Sequence, residues 1–238
     1  DATAGAVRLA RAATGRDIIL RSTVDPFLGV GDWFIGSTVM NRGVPLPVQQ
    51  LTKSFQHNDL SSLEDAFRSH PGQVAAIVIE PAPSIPPLPG YLQGVRELAN
   101  SHGALLVFDE TISGFRMSLS GAQHYFAVRP DLSTFGKGIA NGYALSALVG
   151  KREYMELGGL AHPGRRVFLM SSTYGPERVG LAAGIQTLQV LERIDGPSRL
   201  WEVGRMVKQF LSESVSRHQL EQFVVVGGFD CSPTISFT

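Results

Sequence analysis

Two stretches constrain the fold more than any others. Val74-Ala75-Ala76-Ile77-Val78-Ile79 runs into Glu80-Pro81, and Ala104-Leu105-Leu106-Val107-Phe108 runs into Asp109-Glu110. No polar residue interrupts either run, so neither shows the alternation of a strand with one face in water. Strands apolar on both faces belong to parallel sheets covered by helices on two sides. Between the two runs, Pro89-Gly90 opens a segment with Leu92, Val95, Leu98 and Ala99 spaced three and four apart, and His102-Gly103 closes it. That spacing predicts a helix.

The rest of the chain extends the alternation. Ala2, Val7, Leu9 and Ala13 predict a first helix that stops at Thr14-Gly15, and residues 17–21 predict a short buried strand. Residues 22–58 carry Gly, Pro and aromatics without periodicity and are expected to form a long functional loop. A short helix is expected at 62–67, apolar runs recur at 145–149 and 167–170, and long helices are expected over 177–194 and 199–216. Strands at 223–226 and 234–238 close the chain. The expected class is α/β, a mainly parallel sheet sandwiched by helices. The chain opens on a helix and stops on a strand, so residues 1–238 are expected to be one large domain truncated at both ends.

Composition narrows the function. With 43% hydrophobic and 18% charged residues in 238, the chain has the makings of a packed core. Twenty-one basic residues balance 21 acidic ones, so no global field favours nucleic acid or an anionic membrane. Cys231 is the single cysteine, which excludes an internal disulfide and a cysteine-built zinc site. No apolar run is long enough to span a bilayer and no secretory pattern opens the chain. A cytoplasmic protein with no nucleic-acid or membrane partner is the expectation.

In an open parallel sheet, ligands bind beyond the carboxyl ends of the strands. Asp109 stands there after five apolar residues, and Glu80 holds the equivalent place after its own run, where a helix cap or solvated strand end is an equal alternative. There are four lysines against seventeen arginines, and Lys137 lies between two glycines in Phe135-Gly136-Lys137-Gly138-Ile139-Ala140-Asn141-Gly142. Glycines let a ligand approach the backbone, and an apolar setting lowers an ammonium pKa as a Schiff-base lysine needs. On spacing alone, a phosphate-binding or structural lysine fits as well. Together, however, Asp109 and Lys137 match one chemistry: a pyridine electron sink needs a carboxylate at its ring nitrogen and a lysine at its aldehyde. Pyridoxal phosphate is that cofactor. Arg116 suits a structural ion pair better than a substrate carboxylate, and Trp33 and Phe34 suit core packing better than a cofactor pocket. His57, His102, His124 and His218 lack metal-ligand spacing. Ser113 lacks a nucleophile elbow, and no glycine fingerprint for a nucleotide follows any strand.

These residues also carry a family resemblance. Phe108-Asp109-Glu110-Thr111-Ile112-Ser113-Gly114-Phe115-Arg116 resembles the Asp-Glu-Val-x-Thr-Gly-Phe-Arg block of class III pyridoxal-phosphate aminotransferases. Pro130-Asp131-Leu132, then Gly136-Lys137-Gly138 and Asn141 to Ala147, resembles that family's cofactor-lysine block, 28 residues beyond Asp109. Ser120-Gly121-Ala122-Gln123 and Arg42-Gly43-Val44-Pro45 are similar to the glutamate-1-semialdehyde aminomutase-like branch.

The resemblance implies the large domain of the aspartate-aminotransferase-like fold, and roles for single residues. Lys137 would form the internal aldimine and shuttle the proton. Asp109 would hold the pyridinium nitrogen, with Thr111 against one ring face and Phe27 stacked on the other. Thr173 would reach the cofactor phosphate of a neighbouring subunit, which implies a homodimer with shared active sites. The implied activity is amino-group transfer, by an aminotransferase or aminomutase, between a small-molecule amino donor and a carbonyl acceptor. Leu28 stands in place of the family's His, and Thr111 in place of its Val. The Glu-Pro-x-x-Gly-Asn segment appears as Glu80-Pro81-Ala82-Pro83-Ser84-Ile85-Pro86, shortened and without the Gly-Asn. The family's phosphate-binding Gly-Thr pair would precede Asp1, and its C-terminal small domain would follow residue 238. A decarboxylase or epimerase, a cofactor-weak scaffold of the same fold and a nucleotide-binding α/β domain are the alternative readings.

Overall fold

The computed structural model describes residues 1–25, 31–159, 161–164, 166–169, 173–175 and 177–238. In chain order the elements are α1 (Ala2–Thr14), β1 (Ile18–Ser22), α2 (Asp32–Ile35), α3 (Leu46–Gln49), β2 (Thr52–Phe55), α4 (Leu60–Ser69), β3 (Val74–Ile79), α5 (Tyr91–His102) and β4 (Leu105–Asp109). Then follow α6 (Ala122–Tyr125), β5 (Leu132–Phe135), a 3-10 turn at Lys137–Ala140, β6 (Ala147–Gly150), α7 (Arg152–Met155), a second 3-10 turn at Glu156–Gly158, α8 (Arg178–Arg193), α9 (Gly196–Arg217), β7 (Val224–Phe229) and β8 (Ser232–Phe237). Six strands form one sheet in the order β2-β1-β3-β4-β5-β6, with β7 and β8 in a separate hairpin. The first five are parallel and β6 runs antiparallel to β5.

The uninterrupted apolar runs lie in the middle of this sheet because both of their faces are covered. Leu20, Ile77, Ile79, Leu106 and Phe108 pack on α4 and α5 through Leu63, Phe67, Leu92 and Val95. Ile19, Ala76, Val78, Leu105 and Val107 pack on α1 through Ala6, Val7, Leu9 and Ala10, with Trp33 and Phe34 in the same layer. Alanines on both sides of the α1 contact remove the bulk that would hold helix and sheet apart. Helix α1 ends at Gly15, whose left-handed φ of 66° and N–H to the Arg11 carbonyl make the expected C-terminal stop.

The structure adds strands that the sequence pattern hid. β2 falls inside the region expected to be loop, and β5 precedes Lys137 with only two apolar residues out of four. The expected run at 167–170 pairs with no strand over its described residues; the Val167 N–H bonds the Leu157 carbonyl instead. The terminal β7–β8 hairpin stands apart from the main sheet. Gly204 of α9 packs directly on the Asp230 carbonyl, and Trp201 donates to the Met117 carbonyl at 3.0 Å. Cys231 is buried beside Met117 and Ala122, as a small apolar residue.

One polar clamp aligns the central strands. Asp131, at the amino end of β5, accepts from Arg96 at 2.8 Å, from the Leu106 N–H at 2.7 Å and from Lys151 at 2.6 Å. Burial pushes its carboxyl up, but Lys151, the Leu106 amide and Arg96 outweigh that and hold it below the usual carboxylate range. Asp131 therefore ties α5, β4 and β6 to β5 at the end of the sheet opposite the candidate site. The stability it provides is complete at neutral pH and is lost as pH falls through its folded pKa. Asp131→Asn leaves two cations short of a partner and is expected to cost about 3–5 kcal/mol in chemical denaturation at pH 7. Leu106→Ala, at a fully buried site, is expected to cost about 2–5 kcal/mol, whereas exposed Leu119→Ala should change stability by no more than ~0.5 kcal/mol.

Candidate active site

Parallel pairing delivers the chemically interesting residues to one edge. β4 ends on Asp109, which lies opposite Thr134 of β5, and Lys137 follows three residues later. Ile79 of β3 lies opposite Phe108, so Glu80 and Asp109 are the next residues along two adjacent strands. Asp25 follows β1, the other neighbour of β3.

Asp109 is buried, and each of its oxygens has a donor. Oδ2 accepts from the Thr3 hydroxyl at 2.7 Å and Oδ1 from the Thr111 N–H at 2.9 Å. Thr3 lies in the first turn of α1, so the amino end of that helix meets the carboxylate through this bond. Thr3 Oγ1 also lies 3.4 Å from Thr134 Oγ1, which joins α1, β4 and β5 at one point. Sequence reasoning missed Thr3, because a threonine in a first helical turn reads as an ordinary surface residue.

Glu110, adjacent in sequence, does different work. It is fully buried and accepts from the Ser113 hydroxyl at 2.9 Å, from the Ala122 N–H, and from both the N–H and the side-chain amide of Gln123 at 3.1 and 3.2 Å. Gly121 sits beside it at φ 79°, and a Cβ there would lie 2.5 Å from Glu110 Oε1. Burial raises the Glu110 pKa against these donors. The Asp-Glu pair thus divides into a carboxylate at the sheet edge and a brace for the loop between β4 and α6. Gly121→Ala would put a side chain into that carboxylate at a φ that favours glycine.

Lys137 opens its 3-10 turn at φ 44° and is exposed, not desolvated as its glycine-flanked setting led us to expect. Gly136 before it is extended and lies against Thr111, where a Cβ would come within 3.1 Å of the threonine methyl. After the turn, the segment leading to β6 packs on α8. Gly180 faces the Ala144 carbonyl and Gly184 faces Leu145, at distances too short for a larger residue. Thr111 is half-buried between Asp109 and Gly136, so the structure brings Asp109, Thr111 and Lys137 together.

Thr173 lies on an exposed turn ahead of α8 and has no hydrogen bond to Asp109, Thr111 or Lys137. Phe27 and Leu28 lie outside the described residues. Arg116 donates to the Ile112 carbonyl at 3.0 Å, not to a carboxylate, and lines a cavity of about 630 Å³ with Phe115, Asn141, Tyr143, Gln186 and Val190. Among the described residues no cluster of His, Cys, Asp and Glu is arranged to hold a metal ion.

The class-III aminotransferase model matches residues 6–230. The chain belongs to the class-III aminotransferase family. It is 45% identical to a 3-aminobutyryl-CoA aminotransferase from Cloacimonas acidaminovorans, over 81% of this chain and 45% of that protein. It is 35% identical to a glutamate-1-semialdehyde 2,1-aminomutase from Hyperthermus butylicus, over 94% of this chain and 54% of the relative. The chain therefore spans about half the length of the curated relatives it matches. Among solved structures, the internal aldimine form of the FumI protein of Sphingopyxis sp. MTA144, with pyridoxal phosphate, superposes with a TM-score of 0.86 at 27% identity, covering 100% of this chain and 56% of that one. An omega-transaminase from Sphaerobacter thermophilus superposes at 0.83 with 26% identity, over 96% of this chain and 55% of that one. The fold of this class-III chain is that of the aminotransferases, as its sequence blocks led us to expect.

The site's electrostatics also set a pH response. Burial raises the Glu80 carboxyl to about 7, with nearby Asp109 pushing it up and Lys137 pulling it down. An acid raised on folding binds its proton more tightly in the native state, so stability falls as pH rises from the ordinary glutamate value to about 7 and is level above it. Glu80→Gln is expected to raise the denaturation midpoint above pH 7 and to flatten its pH slope in that interval. A slope unchanged by the substitution would place the response elsewhere.

Proposed function

We propose that this chain is the pyridoxal-phosphate-binding large domain of an enzyme of amino-group transfer, an aminotransferase or aminomutase. The observation that carries the reading is the β4–β5 register, which sets a buried, doubly hydrogen-bonded carboxylate beside an exposed primary amine. The donor set fits the cofactor. Each Asp109 oxygen has one protein donor, which leaves lone pairs free for the N–H of a pyridinium.

When bound, pyridoxal phosphate supplies an aldehyde that condenses with amines and a ring that accepts electrons from the substrate carbon. Asp109 holds the proton on the ring nitrogen. Lys137 is the amine that tethers the cofactor and, once released, moves the proton at the substrate Cα. Thr111, which lies against Gly136 next to Lys137, would pack on one face of the ring. The substrates are a small-molecule amino donor and a carbonyl acceptor.

The same reading makes the protein a cytoplasmic homodimer in which Thr173 serves the neighbouring subunit's site. Its support is the exposed turn that carries Thr173 and the run of exposed apolar residues Val203, Met206, Val207 and Phe210 on α9. Among the described residues no helix is long and apolar enough to cross a membrane.

The test is absorption spectroscopy of the chain with pyridoxal phosphate, followed by borohydride and peptide mapping. A visible band, fixed by reduction on the peptide that contains Lys137 and missing in Lys137→Ala, is the expected result. A folded chain with no band would favour a scaffold that has lost the cofactor, and a normal band in the alanine variant would overturn the lysine assignment. Asp109→Asn should still form the band but bind the cofactor at least ~10-fold more weakly, through loss of a charge-assisted hydrogen bond.

A further inference from the structure

The order of the sheet reverses between β1 and β3, where a doubly wound sheet opens its ligand crevice. Asp25 follows one of these strands and Glu80 the other, and Asp109 ends β4 next to Glu80. Three carboxyl groups therefore share one edge, and their hydrogen-bond donors are unequally divided. Asp109 has a donor on each oxygen. Asp25 is 2% exposed, and neither of its side-chain oxygens has a hydrogen-bond partner among the described residues.

The groups facing Asp25 do not make up for this. Glu80 and Asp109 are like charges, and Arg21 is the cation in range. Each nitrogen of Arg21 already donates elsewhere, through three of its five N–H groups: Nε and Nη2 bond Ser37 at 2.8 and 3.1 Å, and Nη1 bonds the Ser22 carbonyl at 3.0 Å. Its guanidinium also lies 5.1 Å from the centre of the Phe34 ring. The Tyr91 hydroxyl, buried and likewise without a hydrogen-bond partner, is a neutral neighbour. Glu80 in turn faces Asp109 and Lys137. The Glu80 backbone N–H favours the charged form of Asp25, but a desolvated carboxylate with no well-formed hydrogen bond, beside two others, lowers its energy by taking a proton.

We propose that Asp25 is a neutral carboxylic acid at neutral pH, a positioning residue that takes up the proton of this three-carboxyl cluster so that Asp109 keeps its negative charge. Burial, followed by the charge of Glu80, drives the Asp25 carboxyl well above the ordinary range, and the Glu80 backbone N–H and then Arg21 oppose this less strongly. The benefit to the ring-nitrogen contact rests on the function proposed above; the protonation state of Asp25 does not.

The test is carbon-13 NMR of the side-chain carboxyls of the whole chain, without cofactor, titrated from acid to alkaline pH. Signals are assigned through their own backbone correlations, so no variant is needed for the first reading. The Asp25 carboxyl is expected to hold the chemical shift of the protonated form through pH 7, while Asp109 holds that of the carboxylate. Asp25→Asn has the size and charge of the neutral acid and should leave the Glu80 midpoint where it was. A carboxylate shift for Asp25 at pH 7, or a fall in the Glu80 midpoint by about one pH unit or more in Asp25→Asn, would overturn the proposal. Failure to bind pyridoxal phosphate would leave this reading intact, and an ionised Asp25 beside a functional Asp109 would sink this proposal alone.

Discussion

Parallel pairing of β1, β3, β4 and β5 makes every one of these strands end at the same edge, and covering both faces of the sheet fixes where that edge lies. Leu106 and Phe108 point to α4 and α5 while Leu105 and Val107 point to α1, so β4 cannot slip by one residue without exposing one set to the other layer. The Asp131 clamp ties β4 and β6 to β5 at the opposite end. With the register set in this way, the residue after the apolar run of β3 and the last residue of β4 become neighbours at the crevice. The chemistry of the site is thus a consequence of core packing.

That arrangement gathers like charges, and the structure treats each of them differently. Asp109 is oriented at the sheet edge by the Thr3 hydroxyl and the Thr111 amide. Glu110 faces the other way and is absorbed by Ser113, Ala122 and Gln123, where it organises the loop to α6. The segment Ser120-Gly121-Ala122-Gln123, which resembles the aminomutase-like branch in sequence, has a direct physical role in this chain. Gly121 leaves room for the Glu110 carboxylate, and the next two residues present donors to it.

The parts of the fold that were legible in the sequence are those where one physical term dominates. Uninterrupted apolar runs gave β3 and β4, three-and-four spacing gave α5, and a glycine in the left-handed region ended α1. β5 escaped because Ser133 and Thr134 break its apolar pattern; both are buried, and Gln123 and Thr3 lie near their hydroxyls at 3.3 and 3.4 Å. Those partners are distant in sequence, so no local pattern reveals them. β2 carries Lys53 and Ser54 at the edge of the sheet, where a strand can be half polar. At the site, the types and spacing of Asp109 and Lys137 were enough to name a chemistry. Thr3 and Asp25 were not legible, since their importance comes from what surrounds them in space. The exposure of Lys137 was also hidden, because flanking glycines describe the backbone and say nothing about the volume left around the amine.

The central claim is that the sheet edge holds Asp109 as a carboxylate for a ring nitrogen, and the most direct measurement is the protonation state of that nitrogen. Pyridoxal phosphate labelled with nitrogen-15 in the ring, bound to the chain, reports it by NMR. The account predicts a protonated ring nitrogen in the wild-type chain at neutral pH and an unprotonated one in Asp109→Asn. An unprotonated ring in the wild-type chain, or protonation that survives the substitution, would contradict it.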